Sequence, residues 1–334
     1  MPLNGAPSSG VKRLATSRHL SGTRRERSGH SPDTLRCGDL WPDKDLTKAA
    51  LCLPHSPPAP TNSTQPRMSA LKDQFDREGY AVVRQLLSPD EAKTYKALLR
   101  QHSGLDDTSF SKRFASSGGW SKPDGVTSTP DFWPLIFNER LLEVIRETLG
   151  PDARYTQHSD LHVHVGSVGW HRDSAHRTFG EGPDWDESRV PYLIARVAIY
   201  LQTHAESGSA LGVIPGSHRQ DEASRRVARE VQRGAKLLGA LRIKEQLPPL
   251  LRARPVWIKT EPGDCVIFNQ RLYHTGSKIR GPKYAMYLSY GAPNEHAQNH
   301  RRYYLENRPD LGYDDYPGEL AARLREAELY LERA

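Results

Sequence analysis

Val168-Gly169-Trp170-His171-Arg172-Asp173 is the stretch whose reading decides the fold. In extended backbone, residues i and i+2 point to the same face, so the His171 imidazole and the Asp173 carboxylate reach one metal ion together. Alone, a His-x-Asp is weak evidence, because it recurs by chance in many chains. A third ligand has to come from elsewhere in the fold. The best placed is His274, in Asp264-Cys265-Val266-Ile267-Phe268-Asn269-Gln270-Arg271-Leu272-Tyr273-His274-Thr275-Gly276-Ser277, which reads as strand, short turn and second strand edge. Two His and one carboxylate on one side of an ion are the ligand set of non-haem iron(II) oxygenases, which leaves open positions for a chelating co-substrate and dioxygen.

Around these motifs the chain alternates short apolar runs with turns rich in Gly, Pro and Ser. Strands are expected at 161–165, 192–202, 211–214, 255–259, 264–269 and 284–290. Such spacing is the signature of a barrel or sandwich rather than a parallel sheet. On the N-terminal side, Ala70 to Tyr80 reads as a short helix ending at Gly79, followed by a strand from Ala81 to Arg84. Ser88-Pro89-Asp90-Glu91 predicts a helix start with a capping box, and a further helix is expected over 139–149. Residues 221–246 interrupt the strands: Val227, Val231, Leu238, Leu241 and Ile243 among seven basic residues predict an inserted amphipathic helix. Its basic face is a solvated surface in the simpler reading and a patch for an anionic substrate in the other.

The net charge of +7 is concentrated at the start of the chain. Residues 1–67 carry ten Lys and Arg against five Asp and Glu, so the remainder holds only +2. A nearly balanced body gives no electrostatic footprint for nucleic acid, and no nucleic-acid partner is expected. The leader contains one aromatic, Trp41, and no apolar periodicity, which predicts disorder; Met68 is an alternative start of the ordered domain over 68–334. Five acidic residues in the leader argue against an organelle transit peptide. Cys37, Cys52 and Cys265 form no zinc or disulfide framework, and no apolar run is long enough to span a membrane. A soluble, cytoplasmic protein without a membrane partner is the expectation.

Several motifs in order resemble the phytanoyl-CoA dioxygenase-like family of 2-oxoglutarate oxygenases. They are Phe75-Asp76-Arg77-Glu78-Gly79-Tyr80-Ala81-Val82-Val83, Trp170-His171-Arg172-Asp173, Glu206-Ser207-Gly208 leading to Ile214-Pro215-Gly216-Ser217-His218, Pro262 to Phe268 running on to His274, and Lys283-Tyr284-Ala285-Met286. The resemblance implies a mainly β fold: a double-stranded β-helix (jelly-roll, cupin-like) core with flanking N-terminal helices. It implies iron(II) held by His171, Asp173 and His274, with 2-oxoglutarate and O2 as co-substrates, succinate and CO2 as co-products, and a small-molecule substrate. It also implies a cation for the far carboxylate of 2-oxoglutarate on a late strand. Lys283 matches that position, with Arg280 as its rival and Arg196 more remote. Relatives usually have Arg there, and Lys offers a point charge instead of a fork. Where relatives carry a hydroxyl two residues past the distal His, this chain has Gly276, so Thr275 or Ser277 is expected to replace it. Related halogenases lack the carboxylate ligand, so Asp173 favours hydroxylation or desaturation. A cupin-type enzyme that does not use 2-oxoglutarate and an inactive metal-binding module are the competing readings.

Other residues carry weaker expectations. The even spacing of His158, His162 and His164 puts them on one strand face, as pocket or surface residues rather than ligands. His218 is read as fixing the Pro-Gly-Ser-His turn, and Trp170, Trp185 and Trp257 as core. The long polar loop 174–190 is expected to contact substrate through His176, Arg177 or Trp185.

Overall fold

A strand that is apolar at six of its seven positions is stable only when both of its faces are covered. The computed structural model describes residues 67–110, 119–166, 169–240 and 254–333, and in it the run Ile194–Tyr200 is buried at every position. The chain divides into residues 1–60 and 61–334, and all described residues belong to the second unit. The segment expected to be disordered therefore lies outside them, up to residue 66.

The helices are α1 (Arg67–Glu78), α2 (Pro89–Ser103), α3 (Trp133–Ile136), α4 (Glu139–Leu149), α5 (His204–Ser207), α6 (Glu222–Ala240), α7 (Glu295–Asn307) and α8 (Gly318–Glu326). The strands are β1 (Tyr80–Val83), β2 (Trp120–Pro123), β3 (Arg154–Tyr155), β4 (Asp160–Val163), β5 (Ile194–Tyr200), β6 (Ala210–Val213), β7 (Val256–Lys259), β8 (Cys265–Asn269), β9 (His274–Gly276) and β10 (Tyr284–Gly291). One antiparallel sheet runs β1-β8-β5-β10-β4-β2 with β3 attached to β10, and a smaller one runs β7-β6-β9. Apart from β6 and β7, the paired strands are not consecutive in the chain, as a double-stranded β-helix requires. Each expected strand forms within two residues of its predicted limits; β2 and β3 were not foreseen.

Alternation along the strands sorts the side chains. Ala195, Val197, Ile199, Cys265, Ile267, Met286, Leu288 and Tyr290 face the helices, packing with Leu99 of α2, Leu135 of α3 and Ile145 of α4. The intervening Ala198, Tyr200, Val266, Phe268 and Ala285 face the smaller sheet, where they meet Leu211, Val213 and Ile258. Arg196, Tyr287 and Lys283 share that inward parity, which is how charged groups reach the barrel interior.

Local chemistry sets the ends. Ser88 caps α2 as expected: its Oγ accepts from the Glu91 N–H and its own N–H donates to the Glu91 carboxylate, while Gly104 closes the helix at φ 67°. The amphipathic helix of the insertion is described as α6; its expected end, 241–246, lies outside the described residues. Among the described residues no helix is long and apolar enough to cross a membrane.

At the turn into β8, Asp264 is buried and its carboxylate accepts from the N–H groups of Gln85 and Glu261 and from Arg84. Gly263 beside it has φ 86°, and a Cβ there would stand 2.4 Å from the Leu87 carbonyl oxygen. Gly263→Ala is therefore expected to lower stability by about 2–4 kcal/mol, since both the left-handed backbone and the backbone clash oppose it. Urea unfolding checks this, and an unchanged midpoint contradicts it.

Candidate metal centre

His274 begins β9, and its backbone pairs with His171 in both directions: each N–H donates to the other's carbonyl at 3.0 Å. The stretch around His171 is thus not the continuous strand expected from its sequence but a single antiparallel bridge. The chain bends directly afterwards, because the N–H groups of Asp173 and Ser174 both donate to the Gln270 carbonyl. Val168 lies outside the described residues.

The bridge sets the two imidazoles side by side, with ring centroids 4.2 Å apart. His171 Nε2 lies 3.5 Å from Asp173 Oδ1, and His274 Nε2 lies 3.5 Å from Asp173 Oδ2. One ligand atom from each of the three residues fits within 4.8 Å of the others. The tautomers follow from the partners. His171 Nδ1 is 2.6 Å from the Gly169 carbonyl and His274 Nδ1 is 3.0 Å from that of Leu272. A carbonyl only accepts, so each Nδ1 carries the proton and each Nε2 leaves its lone pair for the point it shares with the Asp173 carboxylate.

Charge reinforces this arrangement. Burial pushes the Asp173 carboxyl up, but His274, His171 and Arg196 together hold it well below the ordinary range. Burial, and then the neighbouring His171, pull His274 down to about 4, so it is neutral at physiological pH. Two imidazoles with directed lone pairs and one ionised carboxylate fit a divalent ion such as iron(II), and the donors come from one side of the point they enclose.

Arg172, between the first two donors, points the other way into the protein. Its side chain is fully buried and donates to the carbonyls of Arg271, Arg177 and Ser217, with the guanidinium 3.7 Å from the centroid of the Tyr273 ring. Burial pulls its pKa down to about 10, so it stays charged. The loop 174–190 is further pinned by Trp185, whose Nε1–H donates to the His176 carbonyl, and by Asp184, which accepts from the His176 N–H. Arg271 donates to the Asp184 carbonyl and pairs with Glu187.

The three donors open onto a cavity of ≈ 480 Å³, within the usual range for small-ligand sites. Its wall sorts the remaining expectations. Lys283 lines it, buried, with Nζ donating to the Val165 carbonyl at 3.1 Å. Arg280 does not, its side chain lying over Gly208 instead. Arg196 lines it, but its guanidinium bonds Asp160 and the His158 carbonyl, with Nε 3.6 Å from Asp173. Gly276 lines it while Thr275, one residue out of phase, does not. The Ser277 hydroxyl donates to the Gly208 carbonyl and accepts from the Ala210 N–H, joining β9 to β6.

His158 and His162 line the cavity, but His164 leaves their face because its φ of 58° turns the chain, and its ring meets the Asp106 carbonyl. Of the loop residues, Arg177 lines the cavity whereas His176 and Trp185 do not. His218 bonds the Asp76 carbonyl through Nε2, tying its turn to α1. Trp185 is buried, while Trp257 is 41% exposed and so is not core. Unforeseen are Tyr304, Arg308, Leu311 and Tyr313, which close one wall from the C-terminal segment. No spacing rule links α7 to a metal motif so far upstream, although the density of His and Tyr in 296–304 was a usable signal.

A profile of the phytanoyl-CoA dioxygenase (PhyH) family matches residues 75–286, more than half of the chain. The chain belongs to this family of iron(II)/2-oxoglutarate-dependent oxygenases. Over 153 residues it is 27% identical to an ectoine dioxygenase of Nocardia farcinica (strain IFM 10152), a match covering 43% of this chain and 49% of that protein. The chain thus spans about half the length of that relative. Among solved structures it is similar to EctD from S. alaskensis with 2-oxoglutarate and 5-hydroxyectoine (TM-score 0.46, 23% identity, 70% of this chain and 79% of that one). It is also similar to HygX from Streptomyces hygroscopicus with nickel and 2-oxoglutarate bound (TM-score 0.46, 16% identity, 66% of this chain and 86% of that one).

Because Arg172 ties three loops through their carbonyls, Arg172→Met is expected to cost about 2–4 kcal/mol by leaving buried acceptors unmatched. It should also speed tryptic cleavage after Arg177 and Arg189. Unchanged unfolding and cleavage rates would contradict that role.

Proposed function

We propose that the protein is an iron(II)- and 2-oxoglutarate-dependent dioxygenase that hydroxylates or desaturates an anionic small molecule. The observation that carries this reading is the convergence of two imidazole Nε2 atoms and one carboxylate at a cavity that also holds a buried lysine. In this reading His171, Asp173 and His274 hold the metal. Iron(II), once bound there with 2-oxoglutarate and dioxygen, supplies the oxidising power for attack on a C–H bond, with succinate and CO2 as co-products.

The side chains of this protein supply the rest. Lys283 neutralises the far carboxylate of 2-oxoglutarate: its Nζ has only a neutral carbonyl partner among the hydrogen bonds of the described residues. His162, beside it, is pulled down to about 3 by burial and by the Lys283 charge, so it adds no second cation there. Arg280 lies over Gly208 outside the cavity, and the Ser277 hydroxyl is engaged by the backbone of Gly208 and Ala210. Gly276 leaves room against the wall where a larger side chain would stand. The anionic character of the substrate is supported by the cavity's balance, four cations (Arg177, Arg196, Lys283, Arg308) against two carboxylates (Asp160, Asp173).

The test is the visible charge-transfer band that 2-oxoglutarate gives with iron(II) in such a site, recorded without oxygen on the purified full chain. The band is expected to form in the wild type and to vanish in His171→Ala and Asp173→Ala. In Lys283→Ala the 2-oxoglutarate needed for half-saturation should rise at least about tenfold, the loss of one charge-assisted contact. Tight iron binding without a band would overturn the co-substrate assignment in favour of a cupin-type enzyme. Failure to bind iron would indicate an inactive module.

A further inference from the structure

The cavity's cations are not equivalent. Arg196 is matched by Asp160, and Arg308 bonds both carboxylate oxygens of Asp310. Lys283 is taken by 2-oxoglutarate, a step that rests on the function proposed above. Arg177 is left. It lines the same cavity from an exposed position on loop 174–190, and its side chain has no hydrogen bond or ion pair among the described residues.

A second unmatched group stands on the same wall. Tyr304 of α7 lines the cavity at 4% exposure, and its hydroxyl has no hydrogen-bond partner among the described residues. Its ring is fixed by stacking on His158 at 3.9 Å between centroids and by packing against Tyr313 at 5.0 Å. Arg177 and Tyr304 line the same cavity, together with His158. Burial, and then Arg196, lower the imidazoles of His158 and His300, the latter to about 3, so neither brings a competing charge. The Tyr304 hydroxyl stands on the cavity wall, where it can donate to an acceptor that a ligand supplies.

The geometry points to an acid-binding subsite formed by the Arg177 guanidinium and the Tyr304 hydroxyl, which holds a carboxylate of the substrate while its apolar body lies along Leu311 and the Tyr304 and Tyr313 rings. Arg177 gives charge-assisted hydrogen bonds and Tyr304 adds a neutral donor, so the two fix both the sign and the direction of the acid. The wall residues Tyr304, Leu311 and Tyr313 all follow residue 286, outside the stretch matched by the family profile. Arg177 lies within that stretch, so the subsite joins one residue of the matched region to a wall that follows it.

The test uses matched pairs of probes, phenylacetate against phenylacetamide and hexanoate against hexanamide. Their binding to the full chain is measured calorimetrically without oxygen, with iron(II) and 2-oxoglutarate present. The wild type is expected to bind each carboxylate at least about tenfold tighter than its amide. Arg177→Gln should reduce that preference to about twofold or less, and the near-isosteric Tyr304→Phe should reduce it severalfold, both with unchanged melting temperature and unchanged half-saturation of the band by 2-oxoglutarate. Equal binding of acid and amide by the wild type, no binding of either, or a preference that survives Arg177→Gln would overturn the subsite. So would a raised 2-oxoglutarate requirement in Arg177→Gln, which would move that residue to the co-substrate. If no band forms in the wild type, the proposed function fails by itself, and the acid preference of the metal-free protein still decides the subsite.

Discussion

Two backbone hydrogen bonds, exchanged between His171 and His274, are the constraint on which the rest of the site depends. They join segments far apart in sequence and fix which side chains face inward. Because strand side chains alternate, a slip of one residue at β9 would bring Thr275 to the cavity and turn His274 away. The bridge also sets the imidazole protons. Each ring is turned so that Nδ1 meets a carbonyl two residues upstream in its own chain, of Gly169 or Leu272. Position and tautomer therefore come from the backbone, before any metal arrives.

A site built from a buried carboxylate and two buried or half-buried imidazoles has to remain assembled without its ion. Arg196 makes this possible. Buried on β5, it lies between Asp160, which it bonds, and Asp173, 3.6 Å from its Nε. Its charge is held by these two carboxylates, chiefly Asp160, and in turn keeps Asp173 ionised against the desolvation that would otherwise protonate it. The same charge discourages protonation of His274 and His158. Arg196 thus adds to burial and to the interactions among the three side chains in setting the protonation states of Asp173 and His274. Its commitment to Asp160 is also why it is poorly placed to bind 2-oxoglutarate, whereas Lys283, with a carbonyl alone, is not so restricted.

Much of this was legible in the sequence because it is governed by local rules. Strand limits, the Ser88 capping box and the inward parity of His274 follow from alternation and hydrogen-bond stoichiometry that short stretches encode. The sequence leaves Lys283 and Arg280 as rivals; the structure puts Lys283, just before β10 and in phase with Ala285 and Tyr287, on the cavity wall and Arg280 off it. The failures are tertiary. His164 has the right spacing to join His162 but turns at a positive φ, and the extended stretch at His171 is cut short by a carbonyl of Gln270 that no local pattern announces. The polar loop 174–190 is expected from its length to present His176, Arg177 or Trp185, and only Arg177 reaches the cavity wall. The loop is held by Arg172 and Arg271, whose carbonyl and carboxylate partners lie in other segments.

The least legible element is the wall supplied by the C-terminal segment, and its anchoring explains why it can define a pocket. Asn294 caps α7 by accepting from the N–H groups of His296 and Ala297. Arg301, one turn before Tyr304, is buried; it donates to Gln157, pairs with Asp315 and lies 4.0 Å from the centroid of the Tyr316 ring. Tyr316 in turn donates to the Tyr155 carbonyl on β3. These contacts run back to the sheet at β3 and at the approach to β4, the same region that presents His158 and Asp160 to the cavity. A helix fixed in this way holds its aromatic groups in place against the metal side of the barrel. Changes on its cavity face can alter what fits without disturbing the His171–His274 bridge, because the two are secured by separate sets of hydrogen bonds.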